Sequence, residues 1–286
     1  MQLSVFRYMF KIKDLRKRII FTLFIFGVYR LGASVPVPGV DLDQVQRLTD
    51  SGTQAGLYGL LNLFSGGALE TFSVFSLGIM PYITSSIILQ LLTVVIPKLQ
   101  RLQEEGESGR QVITQWTRYI TVVLALLQST GLTYLFSRGT LTGGLSLIPN
   151  YTPSRVGLIV LTMTAGTAFI MWLGELITQR GIGNGMSLII FASIVSQLPA
   201  SFGGAYQVTA GNGKLGQFIF LVIMFLLMII GIIYVEQGQR RIPIQFAKRV
   251  RGRKVLGGQS TYIPLKVNSA GVIPVIFATS VLFFPA

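Results

Sequence analysis

The 286-residue chain has no cysteine and no histidine, which removes much of the chemistry a side chain can do near neutral pH. Disulfide staples, zinc fingers, thiolate or imidazole nucleophiles and imidazole-based metal sites are excluded. The phosphate-binding patterns fail on their spacing. Gly211-Asn212-Gly213-Lys214 is followed by Leu215, where a P-loop needs Ser or Thr, and Gly181-Ile182-Gly183-Asn184-Gly185 does not follow a strand. Glu175 and Arg180 sit at the end of an apolar run, so they are expected at an interface rather than as an intramembrane catalytic pair. No catalytic residue, metal site or cofactor is predicted. What remains is charge: Arg240, Arg241, Lys248, Arg249, Arg251, Arg253, Lys254 and Lys266 crowd between the apolar runs 218–235 and 270–286. A soluble core cannot hide that arrangement.

The elements that carry these charges are membrane helices. Hydrophobic residues make up 51% of the chain and charged residues only 12%, against roughly 25% charged in soluble proteins. Mean hydropathy is +0.63. A bilayer core of about 30 Å needs roughly 20 mainly apolar residues per helix. Seven windows qualify: 19–33, 80–96, 116–136, 156–177, 186–202, 217–235 and 268–284. The predicted fold class is all-α, a polytopic transmembrane helical bundle.

The net charge of +14 would point to nucleic acid in a soluble chain, so placement of the charges must decide. Nineteen of the 24 Lys and Arg residues lie before the first span or around alternate connections, including Lys98, Arg101, Arg110, Arg118 and Arg180. Arg30, Arg47, Arg138, Arg155 and Lys214 flank the other connections. The positive-inside rule then sets the amino terminus in the cytoplasm. A cleaved signal peptide is the rival reading of the first window. A retained helix is favoured, because Arg30 would fall inside the cleavage region and every later span alternates correctly if the first stays. Gly143-Gly144, the Gly181 to Gly185 run and Gly203-Gly204 read as punctuation between helices.

The stretch from Leu60 to Gly78 is too polar to span and too apolar for a solvated loop. It is expected half-buried, either as an interfacial helix on the headgroups or as a re-entrant segment, which membrane depth allows only where protein or water satisfies the backbone. Pro81 fits the first turn of the next helix. Ile83 and Ile87, and again Ile190 and Ile194, are spaced i, i+4, which by pattern alone is what lipid contact looks like. The 218–235 span carries no charge and reads as lipid-facing. The 268–284 window, with Asn268, Gly271, Pro274, Thr279 and Ser280, has the small and polar composition of a close-packing, kinked helix or a moving one. Fixing topology needs only a few basic residues. The surplus in the eight-residue cluster therefore favours docking of an acidic protein or RNA phosphate over attraction to anionic lipid.

Several blocks are more specific. Phe64-Ser65-Gly66-Gly67-Ala68-Leu69 followed by Leu77-Gly78-Ile79-Met80-Pro81-Tyr82-Ile83 resembles the SecY family of protein-translocation channels. Trp172-Leu173-Gly174-Glu175 with Arg180-Gly181-Ile182-Gly183-Asn184-Gly185, Glu236-Gln237-Gly238-Gln239-Arg240-Arg241-Ile242-Pro243, and Leu265-Lys266-Val267-Asn268-Ser269-Ala270-Gly271-Val272-Ile273-Pro274 agree.

The resemblance implies a protein-conducting channel, not an enzyme, in the bacterial plasma membrane, which passes unfolded signal-sequence-bearing polypeptides and releases apolar segments sideways into the lipid bilayer. It implies a plug over 61–72, including Leu61, Phe64, Ser65, Gly66, Gly67, Leu69 and Phe72. A pore constriction would come from Ile83, Ile87, Ile190, Ile194 and Ile276, and a lateral gate between spans two and seven would include Gln90 and Asn268. Docking of the ATPase SecA or the ribosome would use Arg240, Arg241, Lys248, Arg249, Arg251, Arg253 and Lys254, with Arg180 and its neighbours, and small SecE- and SecG-type subunits would be partners. The halves would be 1–204, with spans one to five, and 205–286, with spans six and seven and the basic loop 237–267. The family has ten spans, so this sequence is expected to lack three, and with them part of the gate, one constriction residue and a docking loop. An aliphatic ring has no fixed donors or acceptors, so it can dewet when closed and deform around a passing chain. Two other readings make different demands. A secondary transporter or ion channel needs an ionisable residue near a span midplane, and a membrane anchor for ribosome or RNA needs a loop that works without the spans.

Overall fold

A computed structural model describes residues 12–41, 45, 62, 65–139, 148, 151–211, 215–244, 249–251, 254–256, 261–268, 271 and 278. The protein divides into two compact units, Met1–Ser201 and Phe202–Ala286.

In the first unit, helix α1 (Lys13–Ala33) has Asp14 in its first turn and Arg30 in its last, each matched to the helix dipole. Thr22, Ile25, Tyr29 and Ala33 recur every three or four residues and form its buried stripe. Helix α2 (Met80–Val95) starts with a proline in its first turn, where the missing N–H costs nothing. It stops because Pro97 follows: Ile96 is forced extended, at φ −100° and ψ 110°, and α3 (Pro97–Glu104) leaves at an angle of 102°.

Helix α4 (Glu107–Arg138) enters after Gly106 at φ 80° and leaves through Gly139 in the left-handed region at φ 70°. Helix α5 (Pro153–Arg180) again has proline in its first turn. Helix α6 (Gly185–Gly211) is capped by Asn184, whose Oδ1 accepts the Met186 N–H at 3.0 Å. Helices α2, α4 and α5 touch through small hydroxyl residues, as membrane helices do. The Ser85 hydroxyl donates to the Thr117 carbonyl at 2.8 Å, and the Ser129 and Thr164 hydroxyls lie 3.4 Å apart.

Between α1 and α2, residues 66–79 are irregular yet largely buried. Val37 donates to the Phe72 carbonyl and Val74 to the Val35 carbonyl, both at 2.9 Å, so 35–37 lies along 72–74. Phe72 is fully buried and meets Phe136 of α4 edge-on, with ring centroids 4.9 Å apart. Leu69, Leu77, Ile159 and Met163 complete this core. Gly166 in α5 lies against the Val74 carbonyl, where a Cβ would collide.

In the second unit, α7 (Leu215–Gln237) buries none of its residues although its mean hydropathy reaches 3.2. Its Phe225 and Phe218 meet Phe202 and Tyr206 edge-on at 5.3 and 5.5 Å, and a helix apolar on every face with none of its residues buried belongs in lipid. Next come β1 (Gln239–Ile244) and β4 (Thr261–Lys266), paired antiparallel with Gln239 opposite Lys266, and between them β2 (Arg249–Arg251) paired with β3 (Lys254–Leu256).

Among the described residues, α4, α5, α6 and α7 are each long and apolar enough to cross a membrane, and the bent pair α2 and α3 passes the same test together. The first window lies in the 21-residue α1. Of the seventh window, only Asn268, Gly271 and Ala278 are described. One expectation needs correction. Gly203-Gly204 does not end a helix: α6 runs through it and through Pro199, since glycine and proline are tolerated inside membrane helices. The basic loop carries the strand pairs β1–β4 and β2–β3.

Candidate functional site

The irregular stretch 65–79 has the most unusual backbone among the described residues. Gly66, Gly67 and Gly78 have φ of 68°, 84° and 56°, and Phe72 has φ of 45° despite its side chain. A segment without helical bonding must find other partners for its backbone. Here the serines supply several: the Ser65 hydroxyl donates to the Asn62 carbonyl at 3.0 Å and accepts the Leu69 N–H at 3.2 Å, and the Ser76 hydroxyl donates to the Ala68 carbonyl at 3.0 Å. Asn62 clamps Glu70 twice, its amide on the carboxylate and its carbonyl oxygen on the backbone N–H, both at 3.2 Å. This is not a helix resting on headgroups; it is irregular backbone satisfied by protein, the condition for such structure at membrane depth.

Residues from two helices reach this stretch. The Tyr29 phenol of α1 donates to the Ser65 carbonyl at 3.1 Å and lies 2.7 Å from the Ser193 hydroxyl of α6. Arg30 Nη1 donates to the Gly66 carbonyl at 3.0 Å and to the Ser196 hydroxyl at 3.4 Å. Thr71 donates to the Ala33 carbonyl at 3.3 Å. The turn is glycine for a physical reason beyond its positive φ. A Cβ on Gly66 would lie 3.1 Å from both the Ser193 Cα and the Tyr29 oxygen, and one on Gly67 would run into the Gln197 amide.

The sequence-predicted residues divide as follows. Ser65, Gly66, Gly67, Leu69 and Phe72 lie together in the buried stretch, whereas Leu61 and Phe64 fall outside the described residues. Ile83 and Ile87 are buried on α2 one turn apart, and Ile190 and Ile194 are partly buried on α6 beside Ser193. Ile276 falls outside the described residues. Gln90 is exposed near the end of α2. Asn268 donates to the Glu236 carboxylate at 3.1 Å and accepts the Gly271 N–H at 3.1 Å.

Of the basic cluster, Arg240 and Arg241 are exposed on β1, and the Arg241 guanidinium lies over the Tyr262 ring at 4.7 Å. In the inner ribbon Arg249 stands opposite Leu256 and Arg251 opposite Lys254. Lys248 and Arg253 fall outside the described residues. Arg180 ends α5, and the turn after it is tight: a Cβ on Gly185 would meet the Gly174 carbonyl, and Arg18 of α1 reaches the Gly181 carbonyl at 3.5 Å.

Sequence reasoning missed Tyr29, Arg30, Ser193, Ser196 and Gln197 at the turn, and the Arg118 to Glu175 ion pair between α4 and α5. Polar side chains inside or at the end of an apolar helix were the available signal. Among the described residues no three His, Asp, Glu or Cys side chains gather as a metal site would need. The arrangement holds a turn of backbone against α1, and it presents positive charge on a ribbon.

Comparison with known proteins gives the same family along the chain. The SecY family model matches residues 73–286. The protein translocase subunit SecY of Streptomyces coelicolor is 53% identical over 294 residues, covering 99% of this chain and 66% of its own length. Among solved structures, the idle yeast Ssh1 complex bound to the yeast 80S ribosome matches with a TM-score of 0.66 at 19% identity, over 94% of this chain and 56% of that one. The SecY protein whose plug domain stabilises the closed state of the translocation channel and maintains a membrane seal matches with a TM-score of 0.61 at 17% identity, over 94% and 56%. The chain therefore spans about two thirds of the length of the curated relatives it matches.

Proposed function

This chain belongs to the SecY family of multi-pass membrane proteins, and we propose on that premise that it forms the greater part of a protein-conducting channel in a bacterial plasma membrane, with its amino terminus in the cytoplasm. The channel passes unfolded, signal-sequence-bearing polypeptides and releases apolar segments into lipid. One observation carries the reading: an irregular, buried stretch, 65–79, is held on α1 by hydrogen bonds from Tyr29 and Arg30, whose side chains Ser193 and Ser196 tie to α6. A static helical bundle has no use for such a segment; a channel needs a stopper that can leave its seat.

In this reading 61–72 is the plug. Ile83, Ile87, Ile190, Ile194 and Ile276 form the constriction, and their aliphatic surface offers a translocating chain no fixed hydrogen bond to hold it. Gln90 and Asn268 belong to the lateral gate. The halves are 1–204 and 205–286. The exposed basic ribbon of β1 and β4 receives the ribosome or the SecA ATPase, and SecE- and SecG-type subunits complete the assembly. The channel carries out no covalent chemistry; a docked motor, the ribosome or the membrane potential supplies the work.

The test is reconstitution of the full-length protein carrying this sequence, with its small subunits, into liposomes. An unfolded precursor with a signal sequence should become protected from external protease when motor and ATP are present. Passage of small solutes alone, with no protected precursor, overturns the reading in favour of a transporter or ion channel.

A further inference from the structure

We propose that Tyr29 and Arg30 are positioning residues that latch the 65–67 turn in its seat through the turn's own backbone carbonyls, and so set how often the channel opens without a client. The proposal rests on the plug reading given above. Two consecutive side chains of α1 bind two consecutive carbonyls of the turn: Tyr29 that of Ser65 at 3.1 Å, Arg30 that of Gly66 at 3.0 Å. Both donors are also tied to α6, Tyr29 through Ser193 at 2.7 Å and Arg30 through Ser196 at 3.4 Å. The latch therefore bridges two helices, and the turn is the piece held between them.

The phenol is aimed by its surroundings. Its ring stacks on Phe75 with centroids 5.8 Å apart and planes 12° apart, and Phe75 stacks in turn on Phe169 at 6.1 Å. Phe75 packs over Gly32, one turn along α1, where any Cβ would strike its ring. Tyr29 is 2% exposed, so its hydroxyl has no water to exchange for the Ser65 carbonyl. When the turn leaves, both carbonyls lose their donors together while Tyr29 and Arg30 keep Ser193 and Ser196, which makes release cooperative. Because the bound groups are main-chain carbonyls, the latch reads the path of the turn rather than its side chains. Gly66 and Gly67 are what let the backbone come this close.

The experiment measures ion leak through the full-length channel, without client, in liposomes. Four proteins are compared: wild type, Tyr29→Phe, a deletion of 61–72, and the two changes together. Tyr29→Phe keeps the stacked ring and removes only the hydroxyl. It should raise the leak roughly five- to tenfold, the size expected for losing one or two net hydrogen bonds. The deletion should also raise it, and Tyr29→Phe should add nothing further in the deleted background. Arg30→Gln should behave like Tyr29→Phe, and Ser193→Ala, which leaves the phenol its Ser65 partner, should give a smaller rise. If the deletion leaks and both Tyr29→Phe and Arg30→Gln match wild type, the latch is wrong and the plug stands. If the deletion leaks no more than wild type, the plug reading falls and the latch with it. If Tyr29→Phe raises the leak equally with and without the plug, the tyrosine acts on helix packing and the proposal is overturned.

Discussion

Arg118 and Glu175, 57 residues apart in sequence, meet through a two-point ion pair, with Nε 2.6 Å from one carboxylate oxygen and Nη2 2.7 Å from the other. The pair joins α4 to α5, and Gln115 accepts a third bond from the same guanidinium at 2.8 Å. Arg118 is 37% exposed and Glu175 18%, which puts the pair between the weak surface limit and the costly buried one. Arg118→Met should lower stability by about 1–2 kcal/mol, and Arg118→Lys, which keeps charge but not the fork, should recover less than half of that loss. Thermal unfolding in detergent micelles measures both.

A pair of glycines in α5 separates close packing from helix propensity. Gly166→Ala drives a methyl into the Val74 carbonyl and should destabilise by about 2 kcal/mol, the range of overpacked cores. Gly157 has nothing within 4 Å of a built Cβ, so Gly157→Ala should be neutral or stabilising by up to about 1 kcal/mol. The same unfolding assay should rank the two variants in that order.

Topology is tested by single introduced cysteines, since residues 1–286 contain none. Cysteines at Arg251 and Gly211 should react with an impermeant reagent from opposite faces of the membrane. Labelling of both from the same face would overturn this topology.

Arg240→Glu, Arg251→Glu and Arg253→Glu together, in the full-length protein, should weaken binding of the ribosome or the SecA ATPase about tenfold at low salt and leave membrane insertion unchanged. The wild-type complex should itself weaken as salt rises. Equal affinity of wild type and triple variant in a low-salt binding titration would reduce the cluster to an orientation signal.

Ile87→Asn, at a position buried on α2, places a donor and an acceptor where the proposed constriction must dewet. The full-length channel should then leak ions several-fold faster and accept weaker signal sequences. An unchanged leak in liposomes would remove Ile87 from the pore.

The helices were legible because each rule that found them is local. Apolar runs of sufficient length marked α4 to α7, Pro81 marked the start of α2, and Pro97 ends it. Gly203-Gly204 misled, because a signal that breaks a helix in water is tolerated in lipid. Ser65, Gly66 and Gly67 stand out as a motif, but their holders do not. Tyr29 and Ser193 are separated by 164 residues, and nothing in either neighbourhood says that they meet. Arg30 was counted as a flanking charge, which is what its surroundings in sequence indicate; its role at the Gly66 carbonyl is visible only once α1 stands beside the turn.

The ribbon of β1 and β4 is anchored at its base by short bonds. Gly238 donates to the Val235 carbonyl at 3.2 Å and Val267 to the Gly238 carbonyl at 3.0 Å, while Asn268 holds Glu236 at the end of α7. Two paired strands of six residues make an arm about 20 Å long. Such an arm works as a mechanical lever: a tilt of about 10° at its foot moves the far end by about 3.5 Å, and a push at the far end bears on its foot with the leverage of the full arm. Arg240, Arg241 and Lys266 stand at the foot of this arm, so charge gathers at its pivot, where the chain leaves α7 and heads for residue 268.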